Sequence, residues 1–85
     1  MMQVIWKPRA LKQLIKLGDK AAQASILYAT SGLIAFPAVT GIKALVKHQY
    51  MYRIRVGNYR VLFDVSTTVQ VVSIEEVKKR DERTY

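Results

Sequence analysis

Three arginines stand close together in the middle of the chain, at Arg53, Arg55 and Arg60. Arginine stays protonated in proteins, and its planar guanidinium group can donate paired hydrogen bonds to phosphate oxygens. Three such groups on one surface could bind a nucleic-acid phosphate or stabilise the charge that develops when a phosphodiester is cleaved. A single arginine is more simply a solvated strand residue, so the question is whether these three share a surface.

The pattern of residues 52–65 predicts a β-hairpin that brings them together. Apolar residues alternate with arginines before Gly57-Asn58, a pair typical of the positive-φ positions of a two-residue hairpin turn. The resulting register pairs Val56 with Tyr59, Ile54 with Val61 and Tyr52 with Phe63. It leaves an apolar sheet face and an opposite face that carries the arginines, with Arg55 facing Arg60. Like charges in opposite positions destabilise a sheet, which raises the question of which anion could bind there.

The rest of the chain predicts an α+β fold in a single domain over residues 1–85. We expect a strand over 2–6, a helix from Pro8 to Gly18, a helix over 20–33, an edge strand over 42–47 and a last strand over 69–74. Proline suits a first helical turn, glycine a left-handed helix end, and Asp19 an N-cap. In the first helix we expect Leu11, Leu14 and Ile15 to face the core. The order is β-α-α-β-β-β, with a helical hairpin packed on the apolar face of an antiparallel sheet.

Composition narrows the classes of function. The formal net charge of +8 in 85 residues favours a polyanionic partner. Nucleic acid or an acidic protein is favoured over a membrane surface, because no predicted helix has both a basic face and a bulky aromatic apolar face. The absence of cysteine excludes disulfides and thiolate chemistry, and the single His48 cannot build a multi-histidine metal site. We therefore expect no metal and no cofactor. No apolar stretch is long enough to span a membrane and no secretory signal is evident, so we expect a cytoplasmic protein.

The segment Tyr-Arg-Ile-Arg-Val-Gly-Asn-Tyr-Arg-Val-Leu-Phe-Asp-Val at 52–65 resembles the most diagnostic stretch of the RelE/ParE superfamily of bacterial toxins. The element order, the length and the Lys-Arg-Asp-Glu-Arg-Thr-Tyr ending are also similar to that family. The resemblance implies a toxin of a type II toxin–antitoxin pair, in a hetero-oligomer with an acidic antitoxin. RelE-like members are metal-independent endoribonucleases that cut mRNA in the ribosomal A site, whereas ParE-like members poison DNA gyrase.

The resemblance also implies roles for individual residues. Arg55 and Arg60 would contact the scissile phosphate, and Arg80 (or Lys79, since the tail alignment can slip) would clamp a phosphate or assist the leaving oxygen. Tyr85 matches the terminal tyrosine and is the main candidate for proton abstraction. Arginine stands at two positions where RelE-like nucleases often have lysine, which argues against a lysine general base. Contacts to RNA phosphates are expected from Arg53, Lys78, Lys79 and Arg83.

An antitoxin surface is predicted on the same sheet face. Leu62, Val69 and Val71 fall there by parity, and apolar residues among cations are what an amphipathic acidic partner would cover. Three functions therefore remain open from the sequence. The first is a ribosome-dependent nuclease, the second a gyrase inhibitor without chemistry of its own, and the third a degenerate toxin that only binds proteins.

Overall fold

The computed structural model describes residues 1–80 of the chain. Its elements are β1 (Gln3–Trp6), α1 (Pro8–Ile15), α2 (Lys20–Ser31), a 3₁₀ turn (Gly32–Ala35), β2 (Ile42–Ala44), β3 (Tyr52–Val56), β4 (Tyr59–Ser66) and β5 (Val71–Lys79). The α+β class is the one predicted, and so is the succession of one strand, two helices and then further strands. Four strands follow the helices, whereas the predicted order β-α-α-β-β-β has three. Neither helix of these 80 residues is long and apolar enough to cross a membrane.

The five strands form one mixed sheet in the order β1-β5-β4-β3-β2. The pairs β2–β3, β3–β4 and β4–β5 are antiparallel, as predicted, whereas β1 lies parallel to β5, so the sheet is not antiparallel throughout. The outer edge of β1 is partly covered, because the backbone N–H of Met2 donates to the carbonyl of Ile34 at 2.9 Å. The edge strand β2 is only three residues long and ends at Ala44 rather than at the predicted residue 47.

Local signals fix the helical hairpin as expected. Gly18 adopts φ +71° between the two helices, a conformation that a residue with a Cβ adopts only with strain. Asp19 caps α2, since its carboxylate accepts the backbone N–H of Ala22 at 3.1 Å. The side-chain amide of Gln23 donates to the carbonyl of Leu14 at 3.0 Å. The same amide also donates to the carbonyl of Ile15 at 3.1 Å, so two hydrogen bonds tie the end of α1 to α2.

The core lies between the helical hairpin and one sheet face. Its buried members are Ala10, Leu14, Ile26, Leu33, Ile54, Val61, Phe63, Val72, Ile74 and Val77. The prediction for α1 was partly wrong, because Leu11 is 44% and Ile15 is 64% exposed. Ala10 and Leu14, one turn apart, face the sheet instead. The small alanine side chain allows α1 to approach β5 closely, which a leucine at that point would prevent.

The last strand was also predicted wrongly, since it covers Val71–Lys79 rather than 69–74. The alternation is interrupted by an irregularity in the β4–β5 pairing, where Leu62 faces Glu76, Phe63 faces Ile74, and Glu75 has no partner. The bulge falls at the consecutive residues Glu75 and Glu76 and shifts the alternation of buried and exposed residues by one position, which hides the strand in the sequence pattern. Both carboxylates form salt bridges with residues near the N-terminus, Glu75 with Lys7 at 3.9 Å and Glu76 with Arg9 at 3.5 Å.

Candidate phosphate-binding pocket

The β3–β4 hairpin has the register predicted from the sequence. Arg55 lies opposite Arg60, and Arg53 lies opposite Leu62. Arg60 has a second cationic neighbour, since Lys78 of β5 lies opposite it on the other side. The central strand β4 therefore carries a guanidinium group between two other cations. This arrangement costs stability unless an anion compensates it.

The edge strand β2 adds a cation that the sequence analysis missed. Lys43 pairs with Arg53 across the β2–β3 ladder, so it shares the arginine face. A three-residue strand is too short to show a period, and only its pairing partner reveals which way its residues face.

These residues enclose a shallow cavity of about 270 Å³ on the sheet face opposite the helices. Its lining consists of Lys43, Leu45, Arg53, Arg55, Arg60 and Arg80. Arg80 reaches the pocket because the chain is held after β5: its backbone N–H donates to the carbonyl of Asn58 at 2.6 Å. The hairpin turn thus fixes the start of the tail beside the arginines of β3 and β4.

No carboxylate lines this pocket in the part of the chain that the structure describes. The two ion pairs within residues 1–80 are those of Glu75 and Glu76 with Lys7 and Arg9, and they involve none of the pocket cations. Asp64 is also engaged, since it accepts the backbone N–H of Met51 at 2.9 Å. The pocket therefore presents concentrated positive charge to solvent, which is the electrostatic requirement for binding phosphate.

The other predicted RNA contacts are divided between two surfaces. Lys78 pairs with Arg60 and lies on the pocket side of the sheet. Lys79 pairs with Tyr59, a residue that packs against the core, and it lines a different cavity beside the start of α2. Arg83 and Tyr85 lie outside the described residues, so their assignment stays a prediction.

The three residues expected to meet an antitoxin differ greatly in exposure. Val69 is 67% exposed, in the turn of residues 67–70 rather than in a strand, and Val71 is partly buried at the start of β5. Leu62 is only 4% exposed, so it offers a partner almost no surface. It is buried outside the main core, as is Tyr50. The assignment of these three residues to an antitoxin surface stays a prediction.

A metal centre has no visible basis in residues 1–80, which contain no group of three or more His, Asp or Glu side chains able to hold an ion. The lining of the pocket consists of fixed cations and one leucine. The described part of the lining therefore offers positive charge and hydrogen-bond donors, and no anionic ligand for a metal.

Comparison with known proteins identifies the family. Residues 4–83 match the family model described as the ParE toxin of the type II toxin-antitoxin system parDE. A search of curated proteins gave no significant match.

Solved structures agree with this result. The archaeal RelE in the RelE–RelB complex from Pyrococcus horikoshii OT3 is 25% identical, with a TM-score of 0.81 over 96% of this chain and 98% of that one. The isolated E. coli RelE toxin is 21% identical, with a TM-score of 0.79 over 98% and 88%, and shares the fold. So does the toxin–antitoxin complex RelBE2 from Mycobacterium tuberculosis, at 22% identity, with a TM-score of 0.77 over 93% and 98%. The chain thus belongs to the RelE/ParE superfamily and is a toxin of a type II toxin–antitoxin system.

Proposed function

We propose that this toxin is a metal-independent endoribonuclease that cuts mRNA on the ribosome. The observation that supports it is the pocket, in which four arginines and a lysine surround about 270 Å³ with no carboxylate among the described lining residues. Cations placed in opposite positions of a sheet at a cost in stability favour a site for an anion, and in this proposal the anion is an RNA phosphate.

The reaction assigned to this pocket is an internal displacement. The 2′-oxygen of a ribose attacks the adjacent phosphorus, the bond from phosphorus to the 5′-oxygen breaks, and the products are a 2′,3′-cyclic phosphate and a 5′-hydroxyl. A base takes the proton from the 2′-hydroxyl, and an acid gives one to the leaving oxygen. Arg55 and Arg60 would bind the phosphoryl oxygens, where negative charge accumulates. Arg53 would bind a flanking phosphate, and Arg80 would clamp a phosphate or assist the leaving 5′-oxygen.

The base is assigned through the family resemblance. Arginine does not release its proton in proteins, so four of the five cations of the pocket cannot serve. We assign proton abstraction to Tyr85, which follows Arg80 by five residues in the sequence. A tyrosine acts as a base only as the phenolate, a form that neighbouring cations favour.

An acidic antitoxin is the proposed regulator. One of the similar structures is a RelE–RelB complex, and another is the toxin–antitoxin complex RelBE2. Both support an antitoxin partner for this chain in a hetero-oligomer. A segment with carboxylates would neutralise the pocket, while its apolar side chains covered the exposed Val69 and the partly buried Val71. We place the protein in the cytoplasm, where mRNA and ribosomes are found.

Gyrase inhibition is the second candidate. The matching family model describes ParE toxins, and the pocket lining within residues 1–80 offers no carboxylate, imidazole or phenol for acid–base catalysis. Under this alternative the cations of the pocket would bind an acidic surface of gyrase or its DNA.

The test is a reconstituted translation reaction in which mRNA breaks are mapped by primer extension, with a gyrase supercoiling assay run in parallel. We expect mRNA cuts within codons, and a loss of about 10²–10³-fold in cleavage rate for Arg60→Gln, as for removal of one donor to a developing oxyanion. Lys12→Gln on the exposed side of α1 removes the same charge and should leave cleavage unchanged. Gyrase inhibition with intact mRNA would establish the second candidate, and no effect in either assay would indicate a degenerate toxin.

A further inference from the structure

The pocket carries more positive charge than one phosphodiester can neutralise. Within residues 1–80, five cations line about 270 Å³ of space, whereas a phosphodiester of RNA brings a single negative charge. With one such group bound, most of the repulsion among the cations would remain. Charge matching therefore favours a ligand that concentrates several negative charges in a small volume.

The placement of the cations points the same way. Lys43 faces Arg53 and Arg55 faces Arg60, and side chains in directly opposite positions of a sheet have Cβ atoms only about 4.5–5.5 Å apart. Successive phosphates of a polynucleotide are separated by a ribose, whereas those of a triphosphate share bridging oxygens. The closely spaced cations of the pocket therefore fit the spacing of phosphates in a triphosphate better than the spacing in a polynucleotide.

Two features hold the array in place before a ligand arrives. The hydrogen bond from Arg80 to Asn58 fixes one side of the pocket. On the other side, Leu45 lines the cavity while its backbone N–H donates to the carbonyl of Met51 at 2.8 Å. Leu45 also gives the lining an apolar contact, suited to the ribose or base attached to a phosphate chain. A site held in this way loses less entropy when it binds.

We infer that this pocket binds a compact oligophosphate, of the kind found in a nucleoside triphosphate or at the 5′-triphosphate end of an RNA, more tightly than a single phosphate. The inference rests on the proposed function only in that both place phosphate in the same pocket, and it requires no cleavage. A triphosphate bound there excludes an mRNA phosphate, so free nucleotides would act as competitors of the RNA substrate.

The test titrates the purified chain by calorimetry with orthophosphate, inorganic triphosphate and ATP at matched ionic strength. We expect triphosphate to bind at least about tenfold more tightly than orthophosphate, because its additional negative charges form additional ion pairs with the pocket cations. Two RNA oligonucleotides, identical except for a 5′-triphosphate or a 5′-hydroxyl, distinguish the sources. Tighter binding of the first identifies RNA ends, and tight ATP binding with equal RNA affinities identifies free nucleotides.

Matched variants locate the binding. Lys43→Gln with Arg60→Gln removes two charges from the pocket, and Lys12→Gln with Lys16→Gln removes two from α1. We expect triphosphate affinity to fall about a hundredfold in the first and less than about twofold in the second. If the pocket variant does not fold, Lys43→Gln alone, on an exposed edge strand, should still cost about tenfold.

Three results separate the two proposals. Equal weakening in both double variants, or equal affinity for triphosphate and orthophosphate, would overturn the oligophosphate inference. If the chain cuts mRNA and also gives either of these two results, only the oligophosphate inference is contradicted and the nuclease proposal stands. Tight, pocket-dependent binding of triphosphate by a chain that does not cut mRNA would contradict the nuclease proposal and leave this inference standing.

Discussion

Replacing Arg60 by glutamine should stabilise the folded chain while it impairs the pocket. Arg60 lies on β4 with Arg55 opposite it on one side and Lys78 on the other. Neutralising it removes two like-charged cross-strand pairs and leaves no buried group unpaired, since the side chain is exposed. A residue retained at a cost in stability is what a site for an anion requires.

The expected gain follows from these two pairs. Cross-strand charge pairs are each worth roughly 0.2–1 kcal/mol, and exposure to solvent places these in the lower half of that range. Together they predict that the free energy of unfolding rises by about 0.5–1 kcal/mol in Arg60→Gln at low salt. In 1 M NaCl, where the Debye length is only about 3 Å, most of the gain should disappear.

Urea unfolding followed by circular dichroism, at low salt and in 1 M NaCl, measures this difference. Lys79→Gln is the matched control, because it removes the same charge from a strand position whose cross-strand partner is Tyr59. We expect little change in the control. A variant Arg60→Gln no more stable than the parent at low salt, or a gain equal to that of Lys79→Gln, would refute the argument that the pocket cations repel one another.

Three further substitutions test the scaffold by the same urea unfolding. Asp19→Ala removes the side-chain cap of α2 and should cost about 1 kcal/mol, whereas Asp19→Ser should retain most of it. Ile26→Ala, at a fully buried core position, should cost about 2–5 kcal/mol, against about 0.5 kcal/mol or less for Tyr28→Ala, which is 84% exposed. Gln13→Leu leaves the backbone N–H of Val77 without its 2.7 Å partner and should cost about 1–3 kcal/mol. An effect of Gln13→Leu below that range would show that water replaces the side chain.

The hairpin was predictable from the sequence because its determinants are local. The turn pair Gly57-Asn58 and the alternation on both sides of it define the register, and Gly57 adopts φ +57° as such a turn requires. From the register alone it followed that Arg53, Arg55 and Arg60 share a face. The cap at Asp19 and the positive φ of Gly18 were predictable for the same reason, although α1 itself ends at Ile15, before Gly18.

The parts that were missed depend on contacts between distant segments. Lys43 joins the pocket only through the pairing of β2 with β3. The extension of β5 to Lys79 depends on a bulge whose glutamates are paired by Lys7 and Arg9, more than 60 positions earlier in the sequence. In α1 the apolar residues cover two faces, and packing against β5 decides which one is buried.

The central claim is that the cations of the pocket bind RNA phosphates, and the salt dependence of RNA binding measures it most directly. The logarithm of the association constant for a single-stranded RNA should fall with the logarithm of salt concentration with a slope of about −3.5, from about 0.7 per cation for five cations. Arg60→Gln should make the slope shallower by about 0.7, and Lys12→Gln should not change it. A slope near zero, or the same slope in all three proteins, would contradict the claim.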